Sequence, residues 1–64
     1  MKVEVNIPLV NVRKEASMGA GVLRVASQGE RLTVVSQTDE WVCVQADIRG
    51  TYGFVVAEYV TEIE

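Results

Sequence analysis

The sequence predicts a small all-β domain, a barrel or sandwich of five or so short strands, and three observations carry that expectation. Apolar residues recur with a period of two along nearly the whole chain of 64 residues, the pattern of half-buried strands. No segment holds the i, i+3, i+4 apolar spacing of an amphipathic helix over a helix's length. Turn signals rich in Gly, Asp and Ser separate the alternating runs at intervals of roughly eight to twelve residues, the spacing of small sandwiches and barrels.

The elements follow in order. "KVEVNI" places Val3, Val5 and Ile7 on one face and Lys2, Glu4 and Asn6 on the other. Pro8 interrupts the run, as Pro does at a strand end or edge. "LVNVR" resumes it with Val10 and Val12 inward, so Asn11 and Arg13 point away from the core, where they can anchor the loop that follows. That loop, "KEASMGAG", is polar and small, and reads as long and flexible. "VLRVA" is a short strand, and "SQGE" a turn in which Gly29 supplies positive φ. "RLTVVSQ" is a strand with Leu32 and Val34 in phase. After the turn "TDE", "WVCVQA" has Val42, Val44 and Ala46 on one face and Trp41, Cys43 and Gln45 on the other. "DIRG" turns the chain again, with Gly50 at a hairpin position that favours positive φ. In "TYGFVV", Gly53 marks a close approach by a neighbouring backbone or ring. Tyr52 and Phe54 share a face by alternation, and Phe54 is assigned to the core. "AEYVTEIE" reads as one helical turn leading into a short last strand.

Length and composition restrict the rest. A chain of this size forms a single domain, residues 1–64, and buries only about 60% of the surface it exposes when unfolded. One Cys and no His leave neither an intrachain disulfide nor a Cys/His zinc site, so the 48% hydrophobic content must supply the core. The net charge is −3, with six basic residues scattered at Lys2, Arg13, Lys14, Arg24, Arg31 and Arg49 against nine acidic ones. Nucleic acid, which is bound chiefly through Lys and Arg, is excluded as a partner, as is an anionic membrane surface. No stretch approaches the roughly 20 apolar residues of a membrane span. Two origins stay open: a cytoplasmic stand-alone protein with Met1 as its natural start, or one module of a longer envelope or extracellular chain.

Catalysis requires a nucleophile with its base, a metal, or paired carboxylates in a cleft. Without His, Ser17, Ser27 and Ser36 have no usual base. Cys43, mid-strand, reads as a small buried or half-buried hydrophobe rather than a reactive thiol, which needs positive charge nearby. Gly19-Ala20-Gly21 starts a phosphate-loop spacing, but Arg24 stands where the third Gly belongs. The carboxylates Asp39–Glu40 and Glu62–Glu64 fall at a turn and at the terminus, and read as solvated charge. The sequence therefore points to no enzyme, no metal and no cofactor.

With the turns placed, the chain resembles a bacterial Src-homology-3 domain. "LVNVRKEAS" is similar to that family's opening strand and small-residue loop, "VLRVASQGERLTVV" to its short strand, Gly turn and Val-rich strand, and "EWVCV" to its tryptophan strand. "GTYGFVVAEYV" resembles the closing motif through Gly50, Gly53, Phe54, Val55, Tyr59 and Val60, with Phe54 where members often carry Trp. The resemblance implies a five- to six-stranded Src-homology-3-like barrel with a long first loop and a single helical turn before the last strand. Val56 and Glu58 replace the Pro and Asn with which eukaryotic relatives build polyproline grooves, so the implied ligand is a cell-wall peptide instead, and the implied role is an accessory binding module.

The candidate ligand groove is Trp41, Tyr59 and Tyr52, with Glu15, Asp39 and Glu40 supplying negative charge if the long loop folds over the indole. Such a site would favour an amine-bearing peptide. Trp41 has two readings: an anchor beside a groove, since an exposed indole suits peptide docking, or a cap over the barrel's open end. The second functional reading is an interaction domain or small subunit that packs a flat apolar patch on a partner, for instance along an edge strand such as "KVEVNI".

Overall fold

The computed structural model describes residues 1–63; the expectation of solvated charge at Glu64 lies outside them. Wherever the period-two pattern runs, a strand forms: β1 (Lys2–Val5), β2 (Leu9–Arg13), β3 (Val22–Ser27), β4 (Arg31–Gln37), β5 (Trp41–Gln45) and β6 (Tyr52–Val56). A single 3-10 turn, Ala57–Tyr59, leads into β7 (Val60–Glu62). The strands make one antiparallel sheet in the order β3-β2-β6-β5-β4-β1-β7.

The sheet curls around one core made mostly of valine: Val3, Val5, Val10, Val12, Val42, Val44 and Val55, with Ala26, Leu32 and Ala46. β-branched valine suits this role, because its stiff side chain packs well on a pleated surface. The expected inward phases of β1, β2, β4 and β5 are all found, with Val34 packed on the core rather than fully within it. The chain thus has the small all-β architecture expected, with two differences. There are seven strands instead of five or six, since each of the alternating runs, including those on either side of Pro8 and the short last one, forms its own strand. The sheet also stays open, with β3 and β7 as its edges. β1 is not an edge: it lies between β4 and β7, which corrects the expectation that "KVEVNI" borders the sheet.

Two register shifts break the alternation. Opposite Val12 and Arg13, β3 carries Leu23 as an extra residue, and opposite Val44 and Cys43, β4 carries Val35. Both are β-bulges, in which two residues oppose one, and both bulged side chains are exposed.

Gly29 and Gly50 adopt φ of 88° and 87°, as their turns require. Gly53 serves a different purpose. It faces inward on β6, and a Cβ there would overlap Val12 Cγ1, so the close approach is by a valine side chain of the neighbouring strand. Since Gly53 and Val55 hold the inner face of β6, Phe54 falls on the outer face and is half-buried outside the core cluster. Its assignment to the core is therefore overturned by its phase.

Candidate functional site

The outer faces of β5 and β6 carry the unusual side chains. Trp41 pairs with Val56, Cys43 with Phe54 and Gln45 with Tyr52, and cross-strand partners on one face stand in side-chain contact range. Arg13 of β2 pairs with Phe54 from the other side. Cys43 is buried and free, and Trp41 is half-buried outside the core. The indole is therefore not sealed among the valines.

Trp41 is held firmly at its backbone. Its N–H donates to Thr38 Oγ1 at 3.2 Å, and its carbonyl accepts from the Thr38 N–H at 2.8 Å and from the Thr38 hydroxyl at 3.3 Å. Asp39 and Glu40 form the tip of that turn. The Glu40 carbonyl accepts the N–H of Ala57 at 2.9 Å, which fastens the 3-10 turn to the hairpin. The other end of the 3-10 turn is tied to the chain after β1, where the Asn6 N–H donates to the Tyr59 carbonyl at 3.0 Å.

Between these elements lies an open groove of about 600 Å³, within the usual range for ligand sites of roughly 300–1,000 Å³. Trp41, Asp39 and Glu40 form one wall, and Val56, Ala57 and Glu58 the other; Met18 reaches in from the long loop. That loop, residues 14–21, is tied back at its base by Lys14 N–H to Gly21 O (2.9 Å) and by Arg13 Nη1 to Ala20 O (2.8 Å). Arg13 is thus the loop anchor its outward phase suggested, whereas Asn11 is exposed and its side chain makes no such bond among the described residues.

Three carboxylates, Asp39, Glu40 and Glu58, line the groove with no basic side chain. Neither ion pair among the described residues, Arg24–Glu30 at 2.6 Å and Arg31–Glu4 at 3.6 Å, involves them. Trp41, Asp39 and Glu40 are thus brought together as anticipated. Tyr59 packs on the core and lines an adjoining depression instead. Glu15 lines neither hollow, since Met18 is the loop residue that reaches them. Tyr52 is exposed at the opposite end of the β5–β6 pair, across from Gln45. Glu58 and Met18 were not singled out from the sequence. Glu58 showed only as a departure from the eukaryotic closing motif, and Met18 only as a member of a loop.

Asp47 stands outside the groove. Asp47, in the β5–β6 turn, is held below its ordinary value of 3.8, first by the hydrogen bond from the Thr51 backbone N–H, which outweighs the opposing desolvation, and then by that of Arg49. Its Oδ1 accepts those N–H groups at 3.2 and 2.8 Å.

The chain is thus a small curled β-sheet with an indole and three carboxylates around an open groove. The chain belongs to the family described as bacterial SH3 domain, whose match covers residues 8–61. That family is one of binding modules, generally non-catalytic. No curated protein was found to match the chain. No helix among the described residues is long and apolar enough to cross a membrane.

Proposed function

We propose that the groove beside Trp41 recognises cell-wall (peptidoglycan) peptides carrying a free amino group, and that the chain serves as an accessory binding module of an envelope or wall-hydrolase protein. One observation carries this reading: a half-buried indole stands in a groove whose only charged side chains are Asp39, Glu40 and Glu58. An aromatic face and nearby carboxylates both attract an ammonium group, the first through the ring quadrupole and the second through Coulomb attraction, which is strengthened where water is partly excluded. The apolar walls at Val56, Ala57 and Met18 accept the uncharged remainder of a peptide. The alternative, an interaction domain or small subunit that packs an aromatic or edge surface on a partner, would use β3 or β7 as its edge, because "KVEVNI" is paired on both sides.

Titration with purified peptidoglycan fragments, followed by Trp41 fluorescence at low ionic strength, tests the proposal, since this is the chain's only Trp. A saturable change is expected. The double charge reversal Asp39→Lys and Glu40→Lys should weaken binding about tenfold or more, with a smaller difference at high salt because exposed charges are screened. Equal affinity of wild type and variant discards the amine-recognition reading.

A further inference from the structure

The Trp41 groove does not end at Met18. A second hollow of about 300 Å³ adjoins it, and Met18 and Val56 line both. The two therefore meet at Met18 and Val56, and together run from the β4–β5 turn past the 3-10 turn to β2. Charge is distributed along them with a direction. The Trp41 end carries three carboxylates and no cation, whereas the far end carries one charged side chain, Arg13, beside Asn11 and Tyr59.

Arg13 is positioned to receive an anion. Its Nη1 donates to Ala20 O, which tethers the side chain at one nitrogen, and a guanidinium has five N–H donors, so several remain. Among the described residues no carboxylate pairs with it. The planar fork of a guanidinium matches a carboxylate in bidentate fashion.

The spacing limits the ligand. Arg13 pairs with Phe54, and Trp41 with Val56, so the two positions differ by two strand spacings across the sheet and two residues along it. At about 4.8 Å per strand and 3.3 Å per residue, their Cα atoms are roughly 12 Å apart. An extended peptide covers at most about 3.3–3.6 Å per residue, so roughly four residues bridge the interval.

We propose that the two hollows are a single bipolar site that takes a short extended peptide in one direction, its free amino group among the Trp41 carboxylates and its free C-terminal carboxylate on Arg13. The proposal rests on the amine-binding reading of the first groove and adds the carboxylate end, the length and the polarity.

Isothermal titration calorimetry with tetraalanine tests it, using four forms of the peptide: free, N-acetylated, C-amidated and doubly blocked. With the wild-type chain, acetylation should weaken binding at least tenfold and amidation at least fivefold. In Arg13→Gln the penalty for amidation should vanish while that for acetylation remains, and Arg13→Lys should restore part of the amidation penalty. Equal binding of acid and amide by the wild type, a comparison that requires no variant to fold, overturns the bipolar site while leaving the amine reading intact. Indifference to acetylation overturns both. If no form of tetraalanine binds, the bipolar site is overturned, and the wall-fragment titration decides the first proposal separately.

Discussion

β5 is held by a turn at each end, and the two turns use their acidic residues in opposite ways. At the Trp41 end, the backbone of the turn is satisfied by the Thr38 hydroxyl and main chain, so the Asp39 and Glu40 carboxylates are not needed to build it. They line a groove instead. At the other end, the Asp47 carboxylate itself closes the turn by accepting two backbone N–H groups, Gly50 supplies the positive φ, and Ile48 is left fully exposed. Neither hollow described above includes a residue of this second turn. The difference separates two kinds of surface carboxylate. One that satisfies its own backbone is part of the fold, whereas one relieved of that task by a neighbouring hydroxyl is free to meet a ligand.

The strongest way to break this comparison is Trp41→Ala. If the first turn is a binding device, loss of the indole should reduce affinity for wall fragments by at least about thirtyfold, the 2 kcal/mol or more typical of an aromatic anchor. Trp41 lies outside the core, so stability should fall by only about 1 kcal/mol, well below the loss from deleting a large core side chain. Binding is read by calorimetry, as the variant has no Trp, and stability by urea denaturation. A large loss of stability with little change in affinity would make Trp41 a structural cap.

Gly50→Ala probes the opposite turn and should have a smaller effect of the opposite kind. A Cβ at Gly50 meets nothing within 4 Å, so the cost comes from backbone strain alone, about 1–2 kcal/mol for an ordinary residue held in the left-handed region. Groove affinity, measured where the variant is still folded, should match wild type. Gly50→Asn should be milder, because Asn tolerates that region better. If Gly50→Ala weakens ligand binding without loss of stability, the second turn is not merely structural.

The same two turns show what the sequence could and could not reveal. Alternation was enough to place Val42, Val44 and Ala46 inside and Trp41 outside, because a strand's two faces follow from phase alone. Phase also places Phe54 outside once Val55 is inside, which its assignment to the core leaves out of account. The bulges at Leu23 and Val35 leave no compositional mark, since one extra apolar residue in an apolar strand looks like part of the strand. The groove was half legible. Asp39, Glu40 and Trp41 are adjacent in the chain, whereas Met18 and Glu58 reach them only through the long loop and the 3-10 turn, whose docking depends on backbone bonds such as Ala57 N–H to Glu40 O. Tyr52 was rightly placed on the face of Phe54, but the register sets it across from Gln45, at the far end of the strand pair from the indole.

The smallest expected effect concerns acid and belongs to Asp47. Its carboxyl titrates below 3.8 in the folded chain because the Thr51 and Arg49 N–H groups stabilise the charged form. In the unfolded chain those bonds are absent and the ordinary value returns, so at intermediate pH the unfolded state binds more protons and acidification favours unfolding. The sign is that of a depressed acid: the contribution is fully present above about pH 4 and is lost as pH falls through the lowered folded value. Asp47→Asn lacks this titration. Its melting temperature should lie slightly below that of wild type at pH 6, and the gap should close as both are taken from pH 4 toward pH 2, followed by circular dichroism. Asp47 is exposed, so the gap should be small. A gap that stays constant over that range would mean that the turn depends on the shape of the Asp47 side chain and not on its charge.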